Sequence, residues 1–305
     1  MSALRAVILA AADSPRLQRL VTKHGFRLGA SRFVAGQSLD EAVPVLRRLN
    51  ADGLLTNTTL LGEGIRSEAE ARAAVDEYHE VLERIQAEGL QTNVALKLTN
   101  LGLSIDEELS YRNVSELVEH AARLGNFIRI DMEESIYVDA TLRTYRRLRE
   151  AGHDNVGTVL QSYLYRTEDD LRSLLSLPPN LRLVKGAYLE PAEVAYPEKS
   201  DVDAAYIRLL EASLSGEGFT AIATHDERII EHAISFTREH AIASERFQFQ
   251  MLYGVRPKLQ RDLVARGYSV LVATPFGPEW YRYLMRRLAE RPANLLFFLK
   301  NLARG

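Results

Sequence analysis

Short apolar, β-branched runs alternate with longer amphipathic segments along most of the chain. The runs are Gly53–Asn57, Asn93–Leu98, Phe127–Met132, Val156–Gln161, Leu181–Gly186, Thr220–Thr224, Phe247–Leu252 and Tyr268–Thr274. Each is short and mostly apolar, as a strand buried on both faces should be. Between them lie the helical patterns Ser67–Gly89, Tyr111–Leu124, Ala140–Ala151, Glu168–Leu177, Asp201–Ser215, Glu227–Glu239 and Pro257–Arg266, and Trp280 opens an eighth. This alternation predicts an α/β fold, a (βα)8 TIM barrel. Ahead of it the spacing predicts helices at Ala3–Ala12, Pro15–His24 and Ser38–Leu49, with Ser14-Pro15 and Ser38 as helix starts and a loop from Gly25 to Gly36. The division expected is an N-terminal helical arm over residues 1–50 and a catalytic barrel over 51–305.

Length and composition agree with that division. A chain of 305 residues, 46% hydrophobic and 26% charged, suits one barrel. A formal net charge of -3 argues against nucleic-acid binding through bulk positive charge. The absence of cysteine excludes disulfides, thiolate nucleophiles and cysteine metal sites, and fits a reducing cytoplasm. The opening Leu4–Ala12 is too short to span a bilayer and lacks a basic leader, so the expectation is a cytoplasmic chain without a transmembrane segment.

Barrel enzymes place their chemistry at the carboxyl ends of the strands, and here those ends are polar. The second run carries Lys97, the third Asp131 with Glu133 two residues on, and the fourth ends at Gln161. The fifth runs from Arg182 through Lys185 to Gly186 and Tyr188, the sixth ends Thr224-His225, and the seventh carries Gln248 and Gln250. In the stretch Trp280–Asn294, a turn of about 100° per residue puts Tyr283, Arg286, Arg287 and Glu290 on one face, opposite Tyr281, Leu284, Met285 and Leu288. A charged stripe of this kind ordinarily faces water. Adjacent guanidinium forks also suit a carboxylate held in a pocket, and polar strand ends in succession favour the pocket. Asp131, Glu133 and His225 have no metal-site spacing, and no GxGxxG follows a strand, so neither a metal nor a Rossmann nucleotide site is indicated. Gln, Arg, Lys, Thr and His at strand ends suit hydrogen bonds to a large polar heterocycle and its phosphates. A Schiff-base lyase using Lys97 or Lys185, and a non-catalytic scaffold, remain open on these residues.

The stretches LGE (61–63), VALKLT (94–99), IRIDMEE (128–134), LRLVKGAY (181–188), ATHD (223–226), FQFQMLYG (247–254) and YLMRRLAERPAN (283–294) run in one order through most of the chain. In these the chain resembles the monofunctional bacterial proline dehydrogenases. The resemblance implies a distorted (βα)8 barrel, its last helix over the barrel mouth. It implies FAD as cofactor, L-proline as substrate, 1-pyrroline-5-carboxylate as product and a membrane quinone as acceptor, with peripheral contact at the inner face of the cytoplasmic membrane. A separate 1-pyrroline-5-carboxylate dehydrogenase would take the product. By motif position, Arg286 and Arg287 bind the substrate carboxylate, and Lys97, Asp131, Tyr188, Leu252 and Tyr283 line the proline pocket. Arg182 sits by flavin N5; Gln161, Val184, Gly186, Ala187, Thr224, His225, Gln250 and Glu290 contact FAD; Glu63 pairs with Arg286 as a gate. The rival within the same fold is a flavoenzyme of the methylenetetrahydrofolate reductase type.

Three positions depart from the family's pattern. Thr59 stands where relatives often have Asp before LGE, Leu189 where some have Trp after VKGAY, and Ala273 where many have Tyr in the last strand. The small side chain at 273 implies a wider pocket that accepts a hydroxylated proline. Ala273→Tyr is therefore expected to lower kcat/KM for 4-hydroxyproline more than for proline. Comparable constants for the variant and the parent on both substrates would remove the idea.

Overall fold

The computed structural model describes residues 30–62, 64–281 and 283–285. Its strands, all parallel, close into a barrel in sequence order: β1 (Leu55–Leu60), β2 (Thr92–Leu96), β3 (Ile128–Ile130), β4 (Val156–Gln161), β5 (Asn180–Val184), β6 (Phe219–Ala223), β7 (Phe247–Leu252) and β8 (Val270–Phe276), with β8 pairing back onto β1. Helix α1 (Leu39–Ala51) precedes β1. The crossovers are α2 (Glu68–Ala87), α3 (Glu107–Arg123), α4 (Val138–Glu150), α5 (Thr167–Leu174), α6 (Lys199–Ser215), α7 (Glu227–Glu239) and α8 (Pro257–Ala265). The expected barrel is the fold observed. The helices predicted at Ala3–Ala12 and Pro15–His24 lie outside the described residues.

Most boundary differences have local causes. Gly53 takes a left-handed φ of 77° in the turn after α1, so β1 begins at Leu55 and runs through the polar stretch LTNTTL. Its buried polar groups have partners: Thr56 Oγ1 and Thr92 Oγ1 lie 2.6 Å apart, and Thr58 Oγ1 donates to the Thr274 carbonyl at 3.0 Å. Helix α3 starts earlier than Tyr111 because Asp106 caps it, accepting from Leu109 N–H at 2.7 Å. β8 extends through Pro275, a residue whose missing N–H the strand's end tolerates.

The main core lies between the strands and the inner faces of the helices, with Tyr78, Tyr145, Tyr206 and Phe249 fully buried. A second cluster joins both ends of the described chain. Ala30, Phe33 and Val34, around the single turn Ala30–Arg32, pack with Val255, Trp280, Tyr281, Leu284 and Met285. Residues 280, 281 and 283–285 are helical. Backbone bonds from Ala35 N–H to the Pro275 carbonyl (2.8 Å) and from Gly277 N–H to the Gly36 carbonyl (3.0 Å) hold the predicted loop against the exit of β8. Tyr281, Leu284 and Met285, from the predicted apolar face, are thereby turned inward.

Inside the barrel, Gly157 on β4 is required by a close approach. A Cβ there would stand 2.3 Å from Arg129 Nη1 and 2.6 Å from the Asn180 carbonyl. The Arg129 guanidinium fills that space and donates to the Thr158 carbonyl at 2.9 Å and the Asn180 carbonyl at 2.8 Å. Gly157→Ala is expected to lower stability by about 1–3 kcal/mol through overpacking. An unchanged urea midpoint would contradict this account.

Candidate active site

The cavity is built from the inward-facing residues of the strands, so its chemistry follows from their alternation. On its floor lies Arg182 of β5, a residue only 8% exposed. Its Nε donates to Gln250 Oε1 of β7 at 2.6 Å, its Nη1 to Asp131 Oδ1 after β3 at 2.9 Å, and its Nη2 to Asn57 Oδ1 of β1 at 3.0 Å. These residues form one interior layer drawn from alternate strands, the usual way a barrel of this kind is filled. Here the layer is polar rather than branched aliphatic. Burial pulls the Arg182 pKa down and the Asp131 charge opposes that pull. One step toward the amino ends of the strands, burial and the Arg182 charge push Arg129 down to about 9.

Above this layer opens a cavity of about 900 Å3. Of the proposed substrate-pocket residues, Lys97, Asp131, Tyr188, Leu252 and Tyr283 all line it. Of the proposed cofactor contacts, Gln161, Arg182, Val184, Gly186, Ala187, Thr224, His225 and Gln250 line it as well. The departing positions Thr59 and Ala273 face the same space, whereas Leu189 is 55% exposed. The gate residue Glu63 and the helix residues Arg286, Arg287 and Glu290 lie outside the described residues.

Several side chains are held in one orientation. Leu252 N–H donates to His225 Nε2 at 2.9 Å, which makes that nitrogen the unprotonated one. Gln161 Nε2 donates to the Glu133 carbonyl at 2.9 Å. Gly186 has a φ of 113°, and a Cβ there would meet the Tyr163 ring at 2.3 Å, so the backbone leaving β5 has no room for a side chain. Glu133 is not a neighbour of Asp131 in the cavity. Its carboxylate turns to Thr99, accepting from the N–H at 3.1 Å and from Oγ1 at 2.6 Å, and burial raises its pKa.

One feature was not anticipated from the sequence. At the rim, Lys185 bonds Asp203 and Asp226, the latter at 3.2 Å. Lys199 also bonds Asp203, and Arg228 lies 3.4 Å from Asp226. Lys185, Lys199, Asp226 and Arg228 line the cavity, so the cations sharing these acids stand at its rim. Lys199 and Arg228 sit in the first turns of α6 and α7, where helix periodicity reads as an ordinary solvated face. The partner of Asp226 is set by the fold and not by spacing. For the same reason Asn57, the last residue of the first predicted run, does not stand out in the sequence, since its partner Arg182 is supplied by β5.

A closed parallel barrel with a polar cavity at the carboxyl ends of its strands defines the class: a barrel enzyme. The sequence model of the proline dehydrogenase family matches residues 42–299. The chain is 43% identical over 305 residues to proline dehydrogenase of Deinococcus radiodurans, covering 99% of this chain and 98% of that one. It is 40% identical over 299 residues to proline dehydrogenase 1 of Bacillus subtilis strain 168, covering 98% and 99%. The chain belongs to the proline dehydrogenase family. Its fold is similar to a crystal structure of proline utilization A from Bdellovibrio bacteriovorus inactivated by N-propargylglycine. That match has a TM-score of 0.83 and 24% identity, and covers 94% of this chain and 36% of that one.

The rim network gives a test in acid. Burial would raise the Asp226 carboxyl, but bonds from Arg228 and Lys185 outweigh it and hold the pKa at about 2; Asp203 is likewise lowered by Lys185 and Lys199. A carboxyl depressed on folding stabilises the protein above its unfolded pKa, and that contribution is lost as pH falls through the folded value. Between about pH 4 and about pH 2 the denaturation midpoint should therefore fall, and Asp226→Asn should flatten the fall. Parallel curves for parent and variant would refute the assignment.

Proposed function

We propose that the cavity holds FAD and L-proline, and that the enzyme oxidises L-proline to 1-pyrroline-5-carboxylate and passes the electrons to a membrane quinone. Membership of the proline dehydrogenase family supports the reaction class. The observation that carries the finer reading is Arg182, a buried cation fixed from three sides on the floor of a cavity lined by the expected contacts. A volume of about 900 Å3 is within the range of cofactor pockets. The cationic rim of Lys185, Lys199 and Arg228 suits a diphosphate, and the backbone at Gly186-Ala187 permits a close approach. The residues present therefore fit the group.

When bound, the flavin supplies a two-electron acceptor for hydride. The chain's own residues bind, orient and exclude water. Arg182 would stand by flavin N5 and place positive charge against a ring system that becomes anionic on reduction. Lys97, Asp131, Tyr188, Leu252 and Tyr283 enclose the substrate ring. Arg286 and Arg287 fix its carboxylate, and Glu63, paired with Arg286, covers the occupied site. Proline loses one proton from its secondary amine and a hydride from C5, leaving the C5=N bond of the product. Rate enhancement comes from positioning two reactants and from a preset electrostatic environment. Among the described residues no helix is long and apolar enough to cross a membrane, and contact with a quinone pool is peripheral in this reading.

Lys185 is unsuited to the Schiff-base alternative. Its Nζ is tied to two carboxylates, Asp203 and Asp226, whereas an imine-forming lysine must turn its nitrogen to a carbonyl carbon. A visible absorption scan of the purified protein, with and without L-proline in the absence of air, tests the proposal. Flavin bands that bleach with proline are expected. Bands that persist would overturn the substrate, and a colourless protein that cannot be reconstituted with FAD would overturn the cofactor.

A further inference from the structure

The two amide acceptors around Arg182 are themselves donors to other residues, and the direction of each bond is dictated. A guanidinium only donates, so Gln250 and Asn57 must turn their amide oxygens to it. Their NH2 groups then point away and need acceptors of their own. Gln250 Nε2 donates to Gln248 Oε1 at 3.0 Å, and Gln248 Nε2 donates to Ser269 Oγ at 2.8 Å. Asn57 Nδ2 donates to Asn93 Oδ1. Every bond in both series therefore runs outward from Arg182. One series follows β7 to exposed Ser269, just before β8. The other crosses from β1 to β2.

We propose that these amides form two oriented relays that solvate the Arg182 guanidinium from the two strands flanking β8, so that Asn57, Asn93, Gln248 and Ser269 act as positioning residues for the cationic floor of the cavity. Oriented neutral dipoles polarise one another and stabilise a buried charge without cancelling it. Among the described residues, the carboxylate bonded to Arg182 is that of Asp131. Carboxylates in place of the amides would satisfy the same donors but erase the positive field above them. The relays thus hold the guanidinium charged without adding a further carboxylate to that of Asp131. The consequence for bound flavin rests on the reading that Arg182 stands by flavin N5.

Two measurements test this. The first needs no cofactor: nitrogen-15 spectra of the arginine side chains in the protein, comparing Arg182 in the parent, Ser269→Ala and Asn93→Ala. Neither substituted residue touches Arg182, and Ser269 is exposed, so folding is preserved at least in that variant. Exchange of the Arg182 Nε–H and Nη–H protons is expected to quicken about tenfold, the equivalent of one weakened bond to a charged group. Unchanged exchange overturns the relays. The second is the midpoint potential of bound FAD in Gln248→Glu and Asn57→Asp. The potential is expected to fall in both variants, because added negative charge disfavours the reduced, anionic flavin. An unchanged potential in FAD-loaded variants overturns the positioning role. Failure of the parent itself to bind FAD would instead overturn the cofactor reading, and the exchange measurement would still decide whether the relays exist.

Discussion

Keeping a guanidinium charged inside a closed barrel is the constraint around which this molecule is arranged. The cost of removing such an ion from water is several kcal/mol even after relaxation. Arg182 offsets it with Asn57 of β1, Asp131 just past β3 and Gln250 of β7. The layer beneath holds a second guanidinium, Arg129, which needs the absent side chain of Gly157 and the carbonyl of Asn180. The two cations repel, and both are pulled toward neutrality by burial. A simple aliphatic filling would stabilise the barrel more cheaply. The polar filling is retained where the cavity opens, which ties its presence to chemistry rather than to folding.

The cavity wall follows from that floor. Small or flexible positions such as Ala223 and Ala273 leave space above Arg182, while Lys97, Gln161 and His225 come in at the next level from even-numbered strands. At the rim the charge pattern changes from isolated groups to a network, with three cations sharing Asp203 and Asp226. The site therefore runs from a buried, fixed cation to exposed cations that are partly balanced by acids. That gradient matches a ligand with a flat heterocycle at one end and phosphates toward the other.

Much of this is legible in the order of residues. The alternation of apolar runs with amphipathic segments gives the barrel, because strands buried on both faces and helices buried on one leave different periods. Residues next to strand ends, such as Lys97, Asp131 and Thr224, can be placed in the cavity by the barrel's geometry alone. What stays hidden has common physical causes. The first predicted run stops at Asn57, although the strand continues through Thr58, because the burial of Thr56, Asn57 and Thr58 depends on partners from β2, β5 and β8. Glu133 resembles a site residue, yet the helical turn after β2 supplies Thr99 and turns it away. Asp203 sits within a helix and reaches the site only because α6 packs beside β5. Partners distant in sequence are invisible to spacing, and the resemblance to a family reaches only residues within its motifs.

The polar layer also bears on how the barrel comes together. Asn57 lies in the first strand, Asp131 just past the third, Arg182 in the fifth and Gln250 in the seventh. A half-barrel ending after β4 would hold two acceptors without their donor, and one beginning at β5 would hold a buried donor with most of its acceptors missing. Neither half has a satisfied interior of its own. Closure of the ring and burial of the charge are thus one cooperative event, and fragments cut at the barrel's midpoint should be stable only in each other's presence.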